Sequence, residues 1–274
     1  MSNRPRVCVV GSLNIDVLTH VATHPTPGET VRGQGLIRLP GGKGANQALA
    51  SARSGAKTRL IGRIGDDDAG DAYRRGLSAR EVDCSGVCIV PDTPTGTALI
   101  AVDERGENTI IVVPGANEAM TEKAIEAEEH TIRSADVLVL QLEIPMPSVL
   151  RVAEIAAECG IRLIVNPSPW VALPAELLAA ADPLIVNEHE ANQLDETAAG
   201  SVCVTLGADG ARWGKAAVTA PRIDVVDTTG AGDAFAGALA AALAAGADRT
   251  EALHTAAHAG ATACTWPGAQ GWTL

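Results

Sequence analysis

The segment Asp227-Thr228-Thr229-Gly230-Ala231-Gly232-Asp233 runs straight into an alanine-rich stretch that continues to Ala247. The first N–H groups of a helix lack intrahelical partners and carry the positive end of its dipole, so Gly230-Ala231-Gly232-Asp233 can present several donors to an anion. Glycine lets a phosphate come close to the backbone. Asp233 then has two readings: a charge that complements the helix dipole, or a base that takes a proton from a hydroxyl attacking that phosphate. Spacing alone favours the dipole reading, and a second site is needed to decide.

Other chemistries find little support. Gly41-Gly42-Lys43-Gly44-Ala45-Asn46 is glycine-rich, but its order is not that of a Walker loop. No G-x-G-x-x-G follows the first strand-like run, which argues against a dinucleotide-binding dehydrogenase. His20, His24, His130 and His254 show no zinc spacing. Cys8, Cys84, Cys88, Cys159, Cys203 and Cys264 form no C-x-x-C pair, so neither disulfides nor a zinc site are expected. Trp170, Trp213, Trp266 and Trp272 read as packing residues rather than a base-stacking platform, because aromatic content is 2% and the chain is acidic.

The elements that must position these residues follow from periodicity. Val7-Cys8-Val9-Val10, Val137 to Leu140, Leu163 to Val165, Leu184 to Val186 and Val202 to Val204 are short apolar runs without alternation, the pattern of strands buried on both faces. Helical patterns lie between them at Ala45 to Ser54, Pro147 to Cys159 and Pro174 to Ala181. This alternation predicts an α/β fold with a parallel sheet covered by helices on both faces. Residues 17 to 39 and 97 to 113 break the pattern. The second stretch reads as a hairpin, and both suit a small sheet placed like a lid.

The 274 residues, 46% apolar, can bury a full core and fit a single domain. A formal charge of -12 repels nucleic acid and anionic membrane surfaces. No apolar run is long enough to span a bilayer, and the first residues do not read as a signal peptide, so a cytoplasmic location is expected.

Taken in order, further segments complete a pattern. They are Gly11-Ser12-Leu13-Asn14-Ile15-Asp16, Pro25-Thr26-Pro27-Gly28, Gly41 to Ala48, Gln141-Leu142-Glu143, Asn166-Pro167, Asn187-Glu188-His189-Glu190, Thr205-Leu206-Gly207, the Asp227 to Asp233 segment and Gly268-Ala269-Gln270. Together they resemble the ribokinase branch of the PfkB carbohydrate kinase family over nearly the whole chain. The resemblance implies a three-layer α/β/α fold with a mostly parallel central sheet and a β-sheet lid, and ATP-dependent phosphorylation of D-ribose at its 5-hydroxyl. It implies that Asp233 is the catalytic base and that Gly230, Ala231 and Gly232 form an anion hole. Asn14, Asp16, Gly42, Lys43, Asn46 and Glu143 would hold the sugar, and Asn187, Thr205, Gly207 and Gly232 the nucleotide. Glu190 and Asn187 would act on Mg²⁺ through water. Asp227, Thr229, Ala263, Trp266 and Gly268 would surround a monovalent cation, K⁺. A homodimer through the lid strands is likewise implied.

Two departures stand out. Only fourteen residues separate Glu190 from Thr205, where relatives fit a longer segment, so a short helix over Glu188 to Leu194 is expected to make the crossover. The chain also ends at Leu274, where relatives continue into a final helix, which would leave apolar surface exposed. His258 stands one residue away from an adenine-contacting position of some relatives and reads as a helix-face residue. Another small sugar or a nucleoside as substrate, or a non-catalytic sugar- or nucleotide-binding module, remain the competing readings.

Overall fold

The computed structural model describes residues 4–194 and 200–274. In chain order the elements are β1 (Arg6–Val10), β2 (Asn14–His20), β3 (Gln34–Gly41), α1 (Lys43–Arg53), β4 (Lys57–Gly65), α2 (Asp68–Ser78), β5 (Val82–Val90), β6 (Gly96–Val102) and β7 (Asn108–Val113). There follow α3 (Glu122–Ala127), α4 (Glu129–Arg133), β8 (Val137–Leu140), α5 (Met146–Cys159), β9 (Arg162–Val165), α6 (Ala175–Ala180), β10 (Ala181–Asn187) and α7 (Glu188–Ala191). The chain closes with β11 (Val202–Thr205), β12 (Ala211–Trp213), β13 (Ala216–Val218), α8 (Ala231–Ala244) and α9 (Arg249–Ala263).

The large sheet has the order β13-β12-β11-β10-β9-β8-β1-β4-β5. It is parallel except where β12 pairs with β11 and with β13. Alternation along a strand sends successive side chains to opposite faces. Val7 and Val9 of β1 therefore join a core with α1, α8 and α9, while Cys8 and Val10 join a second core with α5 and α6. Burying a side chain such as Leu49 or Leu239 contributes about 1.5–3 kcal/mol. Burial pushes the thiols of Cys8 and Cys203 up to about 12, so both behave as small apolar residues.

The three layers expected from the sequence are thus present. Helix starts differ by one or two residues from the periodicity, as at α1, which begins at Lys43 because Gly42 caps it. The helix expected over Glu188 to Leu194 ends at Ala191, and the later part of that crossover lies outside the described residues.

A separate four-stranded sheet, ordered β3-β2-β6-β7, supplies the lid. β2 pairs in parallel with β6 and antiparallel with β3, and β6 and β7 form the expected hairpin. Its outer surface is apolar: Leu36, Ile37, Leu99, Ile110 and Ile111 are between 44% and 61% exposed.

Strand order reverses between β1 and β8, so a crevice opens beyond their carboxyl ends, where ligands of open α/β sheets bind. Ser12 follows β1 and Gln141 to Glu143 follow β8.

Candidate active site

The site grows from the packing of α8 on α1. Gly237 has no side chain because one would run into the backbone carbonyl of Gln47, and this close approach brings the start of α8 against Asn46 and Gln47. Gly230 caps α8 with φ 77°, in the left-handed region, and a side chain there would strike Ala269.

Asp233, 6% exposed, stands in the first turn of α8. No side chain caps that helix, so the carboxylate is not spent on capping. Its Oδ2 accepts from Asn46 Nδ2 at 2.9 Å and its Oδ1 from Gln47 Nε2 at 2.8 Å. A carboxylate has roughly four lone-pair directions, so each oxygen keeps one for a hydroxyl proton.

Of the amides at this helix start, that of Ala231 donates to the Thr228 carbonyl at 3.2 Å. Those of Gly230, Gly232 and Asp233 have no partner among the described residues. Of the three amides expected at the anion hole, that of Ala231 is thus held in a turn, and the amide of Asp233 lies beside those of Gly230 and Gly232 without a partner among the described residues. A side chain at Gly232 would meet nothing within 4 Å, so the space beside these amides is open to a phosphate.

Asn14 and Asp16 enter the same crevice from β2. Asn14 Oδ1 accepts from Asn117 Nδ2 at 2.8 Å, and Asn117 also bonds the backbone N–H and carbonyl of Leu13. Asn117 carries no motif signal, so only the fold reveals it. The Asp16 carboxylate packs on Gly41, whose lack of a side chain makes room for it. Burial, then the negative charges of Glu143 and Asp233, push its carboxyl up to about 7, while Lys43 opposes the shift.

Lys43 begins α1, and Gly42 packs against the backbone of Leu13 and Asn14. Burial lowers the affinity of the Lys43 ammonium for its proton, but Asp233, Glu143, Glu190 and Asp16 outweigh it, and its pKa is raised. Carboxylates from four segments of the chain thus favour the charged form of one buried cation. Glu143 accepts from Ser12 Oγ at 2.5 Å and from the Lys43 backbone N–H at 3.0 Å, which fixes it between β1 and α1.

Asn46, expected to hold substrate, has both ends of its amide engaged within the protein. Its Nδ2 bonds Asp233, and its Oδ1 accepts from Gln270 Nε2 at 2.8 Å. Gln47 was missed by sequence reasoning. It also donates to Asn166 Oδ1 at 3.3 Å and accepts from Gln141 Nε2 at 2.6 Å. Its place one residue after Asn46 in a glycine-rich signature was the only available signal.

Further along the sheet edge, Asn187 and Glu190 form a reciprocal helix cap. Asn187 Oδ1 accepts from the Glu190 N–H at 2.8 Å, and Glu190 Oε2 accepts from the Asn187 N–H at 2.9 Å. Each keeps one side-chain polar atom outside the cap. Thr205 donates to the Val186 carbonyl at 3.3 Å at the end of β11, and Gly207 follows on an exposed turn with φ 56°.

Asp227 ties two loops together. Its oxygens accept from the N–H groups of Thr229 at 2.9 Å and Gly268 at 2.8 Å, and those bonds outweigh burial to lower its pKa. The Cys264 carbonyl accepts from Val226 and Asp227, so the segment after Ala263, with Trp266 and Gly268, adjoins Thr229. Among the described residues no three His, Cys, Asp or Glu side chains cluster to hold a metal.

Comparison with known proteins agrees with this geometry. The model of the pfkB family of carbohydrate kinases matches residues 4–273. The ribokinase of Bacillus subtilis is 39% identical over 279 residues, covering 97% of this chain and 94% of that protein. A bifunctional ribokinase/ribose-5-phosphate isomerase A from Fructilactobacillus sanfranciscensis is 38% identical over 261 residues, and the match spans 87% of this chain but only 48% of that relative. Arabidopsis thaliana ribokinase, solved with ribose and ATP, superposes with a TM-score of 0.88 at 32% identity over 97% of this chain and 94% of its own. With a buried, amide-held aspartate at a helix start, a match over nearly its full length and this degree of structural likeness, the chain belongs to the pfkB family of carbohydrate kinases.

Proposed function

We propose that this protein transfers the γ-phosphoryl group of ATP to the 5-hydroxyl of D-ribose, giving D-ribose 5-phosphate and ADP. The observation that carries the reading is Asp233, buried and gripped by Asn46 and Gln47, beside open space at a helix start. The names of the similar proteins supply the sugar and the nucleotide.

In this reading Asp16 accepts hydrogen bonds from adjacent sugar hydroxyls, while Asn14 and Lys43 donate to them, with Gly42 and Glu143 shaping the same wall. The sugar's primary hydroxyl lies against Asp233, which takes its proton as the oxygen attacks phosphorus. The amides of Gly230, Gly232 and Asp233 hold the charge on the transferred group. Such catalysis is mostly positioning and electrostatics. Thr205, Gly207 and Asn187 line the nucleotide side.

The Glu190 carboxylate oxygen outside the cap and the amide of Asn187 suit a water-bridged Mg²⁺ that arrives with the nucleotide, since Mg²⁺ keeps part of its hydration shell. When bound, it neutralises phosphate charge. The loops joined by Asp227 would hold K⁺ through main-chain oxygens near Ala263, Trp266 and Gly268. The apolar lid, with β7 exposed along its length, pairs with a second copy and shields both sugar sites.

The test is ADP release from Mg-ATP with D-ribose, 2-deoxyribose, a ketohexose and a nucleoside, in K⁺ and in Na⁺. Turnover led by ribose supports the reading. Turnover led by another sugar moves the substrate assignment, and tight ribose and ATP binding without product replaces the kinase by a binding module.

A further inference from the structure

We propose that Gln270 and Trp272 are positioning residues for Asp233, acting through Asn46, so that the C-terminal segment sets the orientation of the base. The proposal rests on the kinase reading above.

The argument is one of donors and acceptors. An indole N–H can only donate. Trp272 Nε1 donates to Gln270 Oε1 at 2.9 Å, which obliges Gln270 to turn its amide nitrogen the other way. That nitrogen donates to Asn46 Oδ1 at 2.8 Å and to Tyr73 Oη at 2.5 Å. Tyr73 spends its own proton on the Gly41 carbonyl at 2.6 Å, so it can only accept from Gln270. With its oxygen claimed by Gln270, Asn46 must point Nδ2 at Asp233 Oδ2, where it is found at 2.9 Å. Each amide in the series has one orientation that satisfies every partner. A reversed Asn46 would set its oxygen against the Asp233 carboxylate.

Gln270 and Tyr73 are buried, 1% and 0% exposed, so water cannot readily replace a partner lost at Gln270; Trp272 is half-buried. It is also anchored. A side chain at Gly76 would run into the Trp272 ring, which lies 5.9 Å from the Tyr73 ring and carries the Arg80 guanidinium 4.0 Å above it. Arg53 Nη2 holds the Gln270 backbone carbonyl at 2.7 Å. Residues 270–272 are therefore fastened to α2 and α1, and through Asn46 they reach Asp233.

The experiment compares wild type, Gln270→Met, Trp272→Phe and Asn46→Ala, with both double variants, in steady-state ADP release. Methionine keeps the length of Gln270 and removes its hydrogen bonds, while phenylalanine keeps an apolar ring but removes the indole donor together with the outer ring that packs on Gly76, so a thermal melt accompanies each kinetic measurement. For Gln270→Met, kcat falls about tenfold while KM for sugar and ATP stays within about twofold, the pattern of a misaligned base. Trp272→Phe lowers kcat about threefold in the same way, and neither change lowers kcat further in the Asn46→Ala background. Where Gln270→Met does not fold, Trp272→Phe carries the cycle.

Unchanged kcat in folded variants, losses that multiply with that of Asn46→Ala, or an effect confined to KM or to thermal stability overturns the relay. A wild-type chain without sugar-dependent turnover overturns the kinase reading first, and the relay with it.

Discussion

Replacing Asp233 by asparagine keeps the side chain's shape and removes its basicity. Asp233 presents two acceptors to two donors, Asn46 Nδ2 at 2.9 Å and Gln47 Nε2 at 2.8 Å. Asparagine offers one oxygen and one NH₂, so one donor loses its acceptor. A buried donor left unpaired costs about 1–3 kcal/mol. Part of this is offset, because burial and then the charges of Glu143 and Asp233 hold the Asp16 carboxyl at about 7, and the variant removes one of those charges. The melting midpoint should therefore fall by less than about 10 °C in a chain of this size. Losing the general base costs on the order of 10²–10⁴ in kcat. ADP release measures the second effect, and calorimetric titration with D-ribose establishes that the sugar site survives. Turnover within about threefold of wild type, in a variant that binds ribose, would refute the assignment of Asp233 as the base.

Three further outcomes are expected. Gly230→Ala forces a left-handed residue with φ 77° and drives a methyl group into Ala269, so stability falls by about 1–2 kcal/mol from the backbone alone and turnover falls with it; denaturant unfolding measures the loss. Because the folded-state pKa of Asp16 is raised from 3.8 to about 7, its stabilising contribution is present below 3.8 and is lost as pH rises through about 7. Asp16→Asn should therefore flatten the decline of the unliganded protein's melting midpoint across that window, and an unchanged pH profile would count against the burial of this carboxylate. Ile111→Glu, on a residue 59% exposed in β7, should reduce the mass seen by light scattering to that of one chain, whereas an unaltered mass removes the lid from the dimer interface.

Local pattern carried much of the fold. Val7 to Val10 read as a strand buried on both faces because both faces do meet helices, and Val9 and Cys8 indeed belong to different cores. The hairpin of β6 and β7 was legible from turn residues between β-branched runs. The crossover helix after β10 was harder to delimit, since its reciprocal cap fixes where it begins but no comparable signal fixes where it ends. At the site, residues inside quoted motifs could be named from the sequence, but Gln47 and Gln270 stood in those motifs without a role and Asn117 lay outside them, because an amide's role depends on the partners the fold brings to it.

By itself, then, the sequence determined the layers, the hairpin of the small sheet and the glycine-rich turn that opens α8, because each depends on neighbours a few positions away. Only the tertiary structure decided what those residues do to one another. The bonds from Asp233 to Asn46 and Gln47 join positions 187 and 186 apart, and that from Gln270 to Asn46 spans 224. No periodicity encodes them. It took the packing of α8 on α1 to turn Asn46 toward Asp233, and the turn before α8 to occupy the Ala231 amide. A hydrogen bond is directional and needs a partner in place, so its assignment waits on the fold that supplies the partner.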